Sequence, residues 1–145
     1  MQHQKDLEIY RRAHQEWRNR YIHYIMIPME CFAFLEFVSI LAGPLCVWLV
    51  GFLMAVLSTV VTTDVAIGTL CCIFLSTSCW LSTELIKLYG MEVSLVLASV
   101  CWVVAWVVQV GIGHFLFERN KPNVANMSEV SYLAMLLSVL IAWSS

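Results

Sequence analysis

Between residues 24 and 117 the chain carries only six charged side chains: Glu30, Glu36, Asp64, Glu84, Lys87 and Glu92. A soluble domain cannot cover its surface with so few polar groups. The whole chain of 145 residues is 61% hydrophobic and 12% charged, against roughly 45–50% and about 25% in ordinary soluble domains. The net charge of −2 and the scarcity of Gly and Pro exclude disorder, a collagen-like repeat and a basic nucleic-acid module, so no nucleic-acid partner is expected. The expected fold is all-α. It is a multi-pass transmembrane helical bundle of four to five membrane helices behind a polar amphipathic N-terminal helix, in one integral membrane domain over residues 1–145.

Punctuation along the oily body places the spans. Residues 1–25 form a basic segment, with Lys5, Arg11, Arg12, Arg18 and Arg20. The apolar stretch from Pro28 to Thr63 is too long for one span and is interrupted by Gly43-Pro44, a strong helix-ending pair. Spans are therefore expected at about 26–42 and 44–63, then 65–86 after a turn at Asp64, and 93–115 after a loop containing Glu84, Lys87, Tyr89, Gly90 and Glu92. A polar loop over 118–129 leads to a short apolar helix at about 130–144, which either spans or lies against the bundle. The opening residues have no apolar core of a cleaved signal peptide.

Lys and Arg then set the orientation. With the N-terminus in the cytoplasm, seven basic residues lie inside and only Lys87 outside. Asn126-Met-Ser128, a glycosylation acceptor by form, is expected to stay unmodified on the cytoplasmic side. Four spans separate His23 from His114, so both histidines emerge at one membrane face, the cytoplasmic one; a re-entrant 26–42 would put them on opposite faces.

The residues capable of chemistry gather at the ends of this body. His114 and Glu118 are four apart, so on a helix they stack and can both reach one transition-metal ion, or else form a metal-free hydrogen-bonded pair. Asn19 and His23 share that spacing. His14 and His23 are nine apart, about 13.5 Å and half a turn on a straight helix, so either the helix breaks between them or only one binds directly. Glu30 stands seven residues after His23, nearly on the same helical face, with Pro28 between them. Glu36 lies mid-way along the first span; it is either functional or a neutral carboxyl hydrogen-bonded inside the bundle. The six cysteines all sit in apolar stretches without a CxxC or zinc spacing and read as small buried hydrophobes.

Two motifs resemble a known family. Tyr-x3-His-x4-Asn-x2-Ile-His-x4-Pro, filled by Tyr10, His14, Asn19, Ile22, His23 and Pro28, resembles the opening of the Mpo-like family, and Gly113-His114-x2-Phe117-Glu118-x3-Pro122 resembles its second signature. These are small endoplasmic-reticulum membrane proteins typified by the fungal 2-hydroxy-fatty-acid (2-hydroxypalmitic acid) dioxygenase. The resemblance implies a non-haem Fe(2+)-dependent dioxygenase that uses O2 to shorten long-chain 2-hydroxy fatty acids by one carbon, in the alpha-oxidation that follows phytosphingosine and sphingolipid breakdown. By the same resemblance His14, His23 and His114 are the metal-site histidines. Glu118 is a ligand or a partner of one, and Asn19 orients an imidazole. Two other readings use the same side chains: a non-catalytic metal-binding or structural membrane protein, and a membrane lipid hydrolase or transporter moving protons through the His/Glu cluster.

Overall fold

The computed structural model describes residues 16–62 and 65–118. All regular structure among them is helical. Helix α1 spans Trp17–Ala42, α2 Pro44–Thr62 and α3 Val65–Trp106, which runs directly into a π-helical segment, α4, over Val107–Glu118. His14, the 63–64 turn, residues 119–129 and the apolar stretch at 130–144 lie outside the described residues; of Glu118 only its place at the end of α4 is described.

Two single glycines make the reversals. Gly43, at φ 85° and ψ 172°, is the one residue between α1 and α2. Its N–H donates to the Ser39 carbonyl at 3.0 Å, and Pro44 opens α2, where its missing N–H is no loss. Gly90, at φ 82° and ψ 166°, interrupts α3 and divides it into limbs over 65–89 and 91–106. Both glycines occupy a backbone region that a side chain strongly disfavours.

Three boundaries differ from the sequence expectation. The helix that carries the first expected span does not begin near residue 26: α1 is already helical at Trp17 and continues through Pro28. A lone proline removes one helical hydrogen bond and crowds the preceding turn, and here no glycine nearby offers an alternative path. The loop expected around residues 84–92 is helical on both sides of Gly90. There Lys87 Nζ donates to Glu84 Oε1 at 2.7 Å, an i,i+3 pair that suits a helix. Finally, the 93–115 span is α-helical only to Trp106 before it widens into the π form.

Paired residues reveal the topology. Cys79 Sγ donates to the Val47 carbonyl at 3.3 Å, and a Cβ built on Gly68 would meet Thr59, so α2 and the first limb of α3 run antiparallel. The Phe37 and Trp102 rings meet edge-on at 6.1 Å. His23 meets Gln109 on α4, so the second limb of α3 together with α4 runs antiparallel to α1. The result is an up-down-up-down bundle in which α1 contacts every other helix.

The bundle exposes many large apolar side chains and buries a set of polar ones beside an apolar core. Leu41, Leu45, Val65, Leu88 and Val60 are among many exposed large hydrophobics, whereas Asn19, His23, Glu30, Glu36, Gln109, His114 and four serines are buried. One apolar cluster of Cys31, Leu35, Val47, Met54, Ala55, Leu75 and Cys79 fills the middle. All six cysteines are free thiols. Two helical stretches among the described residues, Trp17–Ala42 and Gly68–Phe117, are long and apolar enough to cross a membrane; Pro44–Leu57 is a shorter apolar helix.

Candidate metal site

At the end of the bundle where α1 begins and α4 ends, two imidazoles come together. The ring centroids of His23 and His114 are 5.2 Å apart, with their planes inclined at 58°. Both rings are buried, 6% and 7% exposed. The sequence separation of these two histidines is bridged by the antiparallel pairing of α1 with α4.

A relay of polar side chains holds His23. Gln109 Nε2 donates to Glu30 Oε2 at 3.1 Å. With its NH2 toward Glu30, the amide turns its oxygen to His23. His23 Nδ1, 2.9 Å from Gln109 Oε1, therefore carries the proton and donates it. This tautomer leaves the lone pair on Nε2, the arrangement found where a histidine binds a metal through one nitrogen and is steered through the other. The Trp106 indole also faces the Glu30 carboxyl.

Local sequence explains the convergence. Asn19, His23, Ile27 and Glu30 are buried on α1 at spacings of four, four and three, one continuous stripe. On α4 the five-residue separation of Gln109 and His114 would place them about 140° apart on an α-helix. The π form bonds i to i+5 and brings residues five apart back onto one face. Gly113 then lets α4 press against α1, since a Cβ there would overlap Asn19 Oδ1.

Asn19 is fully buried, and neither its oxygen nor its nitrogen has a hydrogen-bond partner among the described residues. His23 is hydrogen-bonded to Gln109. At the rim, the Arg18 guanidinium lies 5.1 Å from the Phe117 ring centre and pairs with Glu16 at 3.1 Å. Gln109 and Glu30 are thus the site residues that the sequence motifs leave out. Their signals were faint: Glu30 by its seven-residue offset from His23, and Gln109 as the one glutamine between residues 24 and 117.

The family described as 2-hydroxy-palmitic acid dioxygenase Mpo1-like matches residues 1–143. The chain belongs to the Mpo1-like family. No curated protein and no solved structure matches it. The match covers both polar ends and the apolar body between them, so the buried His pair lies within the family's own extent.

The two imidazoles are a donor pair, short of a full ligand set, of the type that suits a transition metal. Imidazole nitrogens suit iron, and rings 5.2 Å apart can share an ion at metal–nitrogen distances of about 2.0–2.1 Å. Among the described residues no group of three or more His, Cys, Asp or Glu side chains is placed to hold a metal. His14 and Glu118, the further ligands that the resemblance implies, have side chains outside the described ones.

Proposed function

We propose that this Mpo1-like protein is a membrane-embedded Fe(2+)-dependent dioxygenase of long-chain 2-hydroxy fatty acids. The observation that carries the reading is the buried His23–His114 pair, with His23 held in one tautomer by Gln109 and Glu30. Family membership supplies the substrate class. The overall conversion balances as 2-hydroxy acid plus O2 to the acid one carbon shorter, CO2 and water. Iron held by His23 and His114, with His14 and Glu118 completing the set, would supply the means to activate O2.

The protein's own residues do the rest. The Glu30–Gln109 relay keeps the His23 proton at Nδ1, so the lone pair of the ring is on Nε2. Asn19 brings an amide with a donor and an acceptor into a space shut off from water, suited to the substrate's hydroxyl or carboxylate. Arg18 offers positive charge at the rim, where an incoming carboxylate would pass. The apolar exterior supports a bundle that crosses the bilayer several times; the basic N-terminal segment supports a site at the cytoplasmic face, and the family resemblance an endoplasmic-reticulum membrane.

Purified protein in detergent tests this directly. Iron is expected to co-purify, and O2-dependent formation of the one-carbon-shorter acid should follow. His114→Ala should lose both. Wild-type protein that folds and binds iron yet never shortens a 2-hydroxy acid would argue for a non-catalytic member of the family.

A further inference from the structure

The first turn of α1 and the last turn of α4 hold a cation just outside the histidines. Arg18 lies five residues before His23, about 7.5 Å along α1 toward its open end. Phe117 follows His114 by three residues on α4. The Arg18 guanidinium sits 5.1 Å from the Phe117 ring centre and 5.7 Å from that of Trp17. Two rings from different helices thus steady one cation, while its side chain stays 53% exposed.

The anion beside Arg18 is Glu16, which precedes α1 and makes no side-chain cap on it. Glu16 Oε1 is 3.1 Å from Arg18 Nε, yet the contact lacks the alignment of a hydrogen bond. Glu16 therefore meets the cation by charge alone. It does not take the grip for which a guanidinium is shaped, two parallel N–H groups on one carboxylate. An exposed pair of this kind contributes little stability, so a carboxylate that fits the fork displaces it at small cost. The same two helix ends turn Trp17, Tyr21, Phe115 and Leu116 outward, each more than half exposed. A cation already beside a carboxylate, with apolar surface around it, matches a carboxylate carried on a long apolar chain.

We propose that Arg18 is the capture point for a long-chain fatty acid: its fork takes the incoming carboxylate in place of Glu16, and the chain lies against the outward apolar side chains. Glu16 keeps the place until the acid arrives. This rests on the reading of the substrate as a fatty acid and adds where that acid first binds, outside the histidines. It asks nothing of the 2-hydroxyl or of a metal.

The test measures binding of labelled hexadecanoic acid and of its methyl ester to the full chain, in an uncharged detergent at an alkaline pH that keeps the acid ionised. Neither probe has the hydroxyl that turnover needs, and comparing acid-to-ester affinity ratios between variants cancels partition into the detergent. Wild-type protein should prefer the acid, and Arg18→Gln should lower the ratio about fivefold. Arg18→Lys, which keeps the charge without the fork, should recover only part of it. Glu16→Gln should bind the acid several-fold more tightly and the ester unchanged. The same ratio in wild type and Arg18→Gln would overturn the proposal, as would a Glu16→Gln protein whose acid binding is unchanged or weaker. An Arg18-dependent preference in a protein that never shortens a 2-hydroxy acid would uphold the capture point and count against the dioxygenase reading alone.

Discussion

At the scale of single residues, most of the site's order is carried by an amide. Gln109 satisfies Glu30 and positions His23 at once, so its loss has two separable effects. Gln109→Leu leaves the Glu30 carboxyl short of a donor in a dry interior, which is expected to cost about 1–3 kcal/mol of stability. It also lets the His23 ring turn, and loss of such a supporting partner typically lowers metal affinity or activity by about 10–100-fold. Thermal melting and metal analysis on the same preparation separate the two. Gln109→Glu should fold less well still, because it would place two carboxyls together beside Glu30. A glutamine in an apolar run is easily read as incidental, and only its contacts show what it serves.

At the scale of elements, α4 depends on close approach to α1. Gly113→Ala would drive a methyl group into Asn19 Oδ1, a local overpacking expected to cost about 1–3 kcal/mol. Asn19→Ala removes the obstructing amide, so the double variant should recover most of the lost melting temperature. Strictly additive losses would show that the two residues do not press on one another. The reversal inside α3 makes a different demand. Gly90 has open space around it, so Gly90→Ala meets no clash, yet the backbone at φ 82° disfavours any side chain. A cost of about 1–3 kcal/mol is expected, read as a lower melting temperature. Gly111, with open space and no positive φ, is the control: Gly111→Ala should be neutral or slightly stabilising.

At the scale of the whole molecule, many large apolar side chains face outward, while the interior holds both an apolar cluster and buried polar groups. Such a bundle suits a substrate with a short polar head and a long apolar tail, with the head at the histidines and the tail among the spans. Each further CH2 placed in an apolar channel contributes roughly 0.8 kcal/mol until the channel ends. Apparent affinity for 2-hydroxy acids should therefore rise with chain length and then level off, once partition into detergent or bilayer is corrected for. A short, water-soluble 2-hydroxy acid turned over as fast as a long one would place the site in water alone.

Much of this architecture was legible in the residues themselves. Six charges across residues 24–117 force helices, since an apolar chain must satisfy its own backbone, and Gly43-Pro44 can hardly do anything but reverse it. Spacing also brought Asn19 and His23 onto one face. What spacing could not supply was the fate of Pro28 and of residues 84–92, because helix continuity there depends on packing against neighbours and on a Glu84–Lys87 pair rather than on local signals. Nor could it find the Glu30–Gln109–His23 relay. A five-residue separation faces away on an α-helix, and only the π form of α4, pressed onto α1 at Gly113, turns Gln109 and His114 to the same side. The residue types come from the chain. Their meeting is decided by how α4 winds against α1, an interaction between elements that no window of sequence contains.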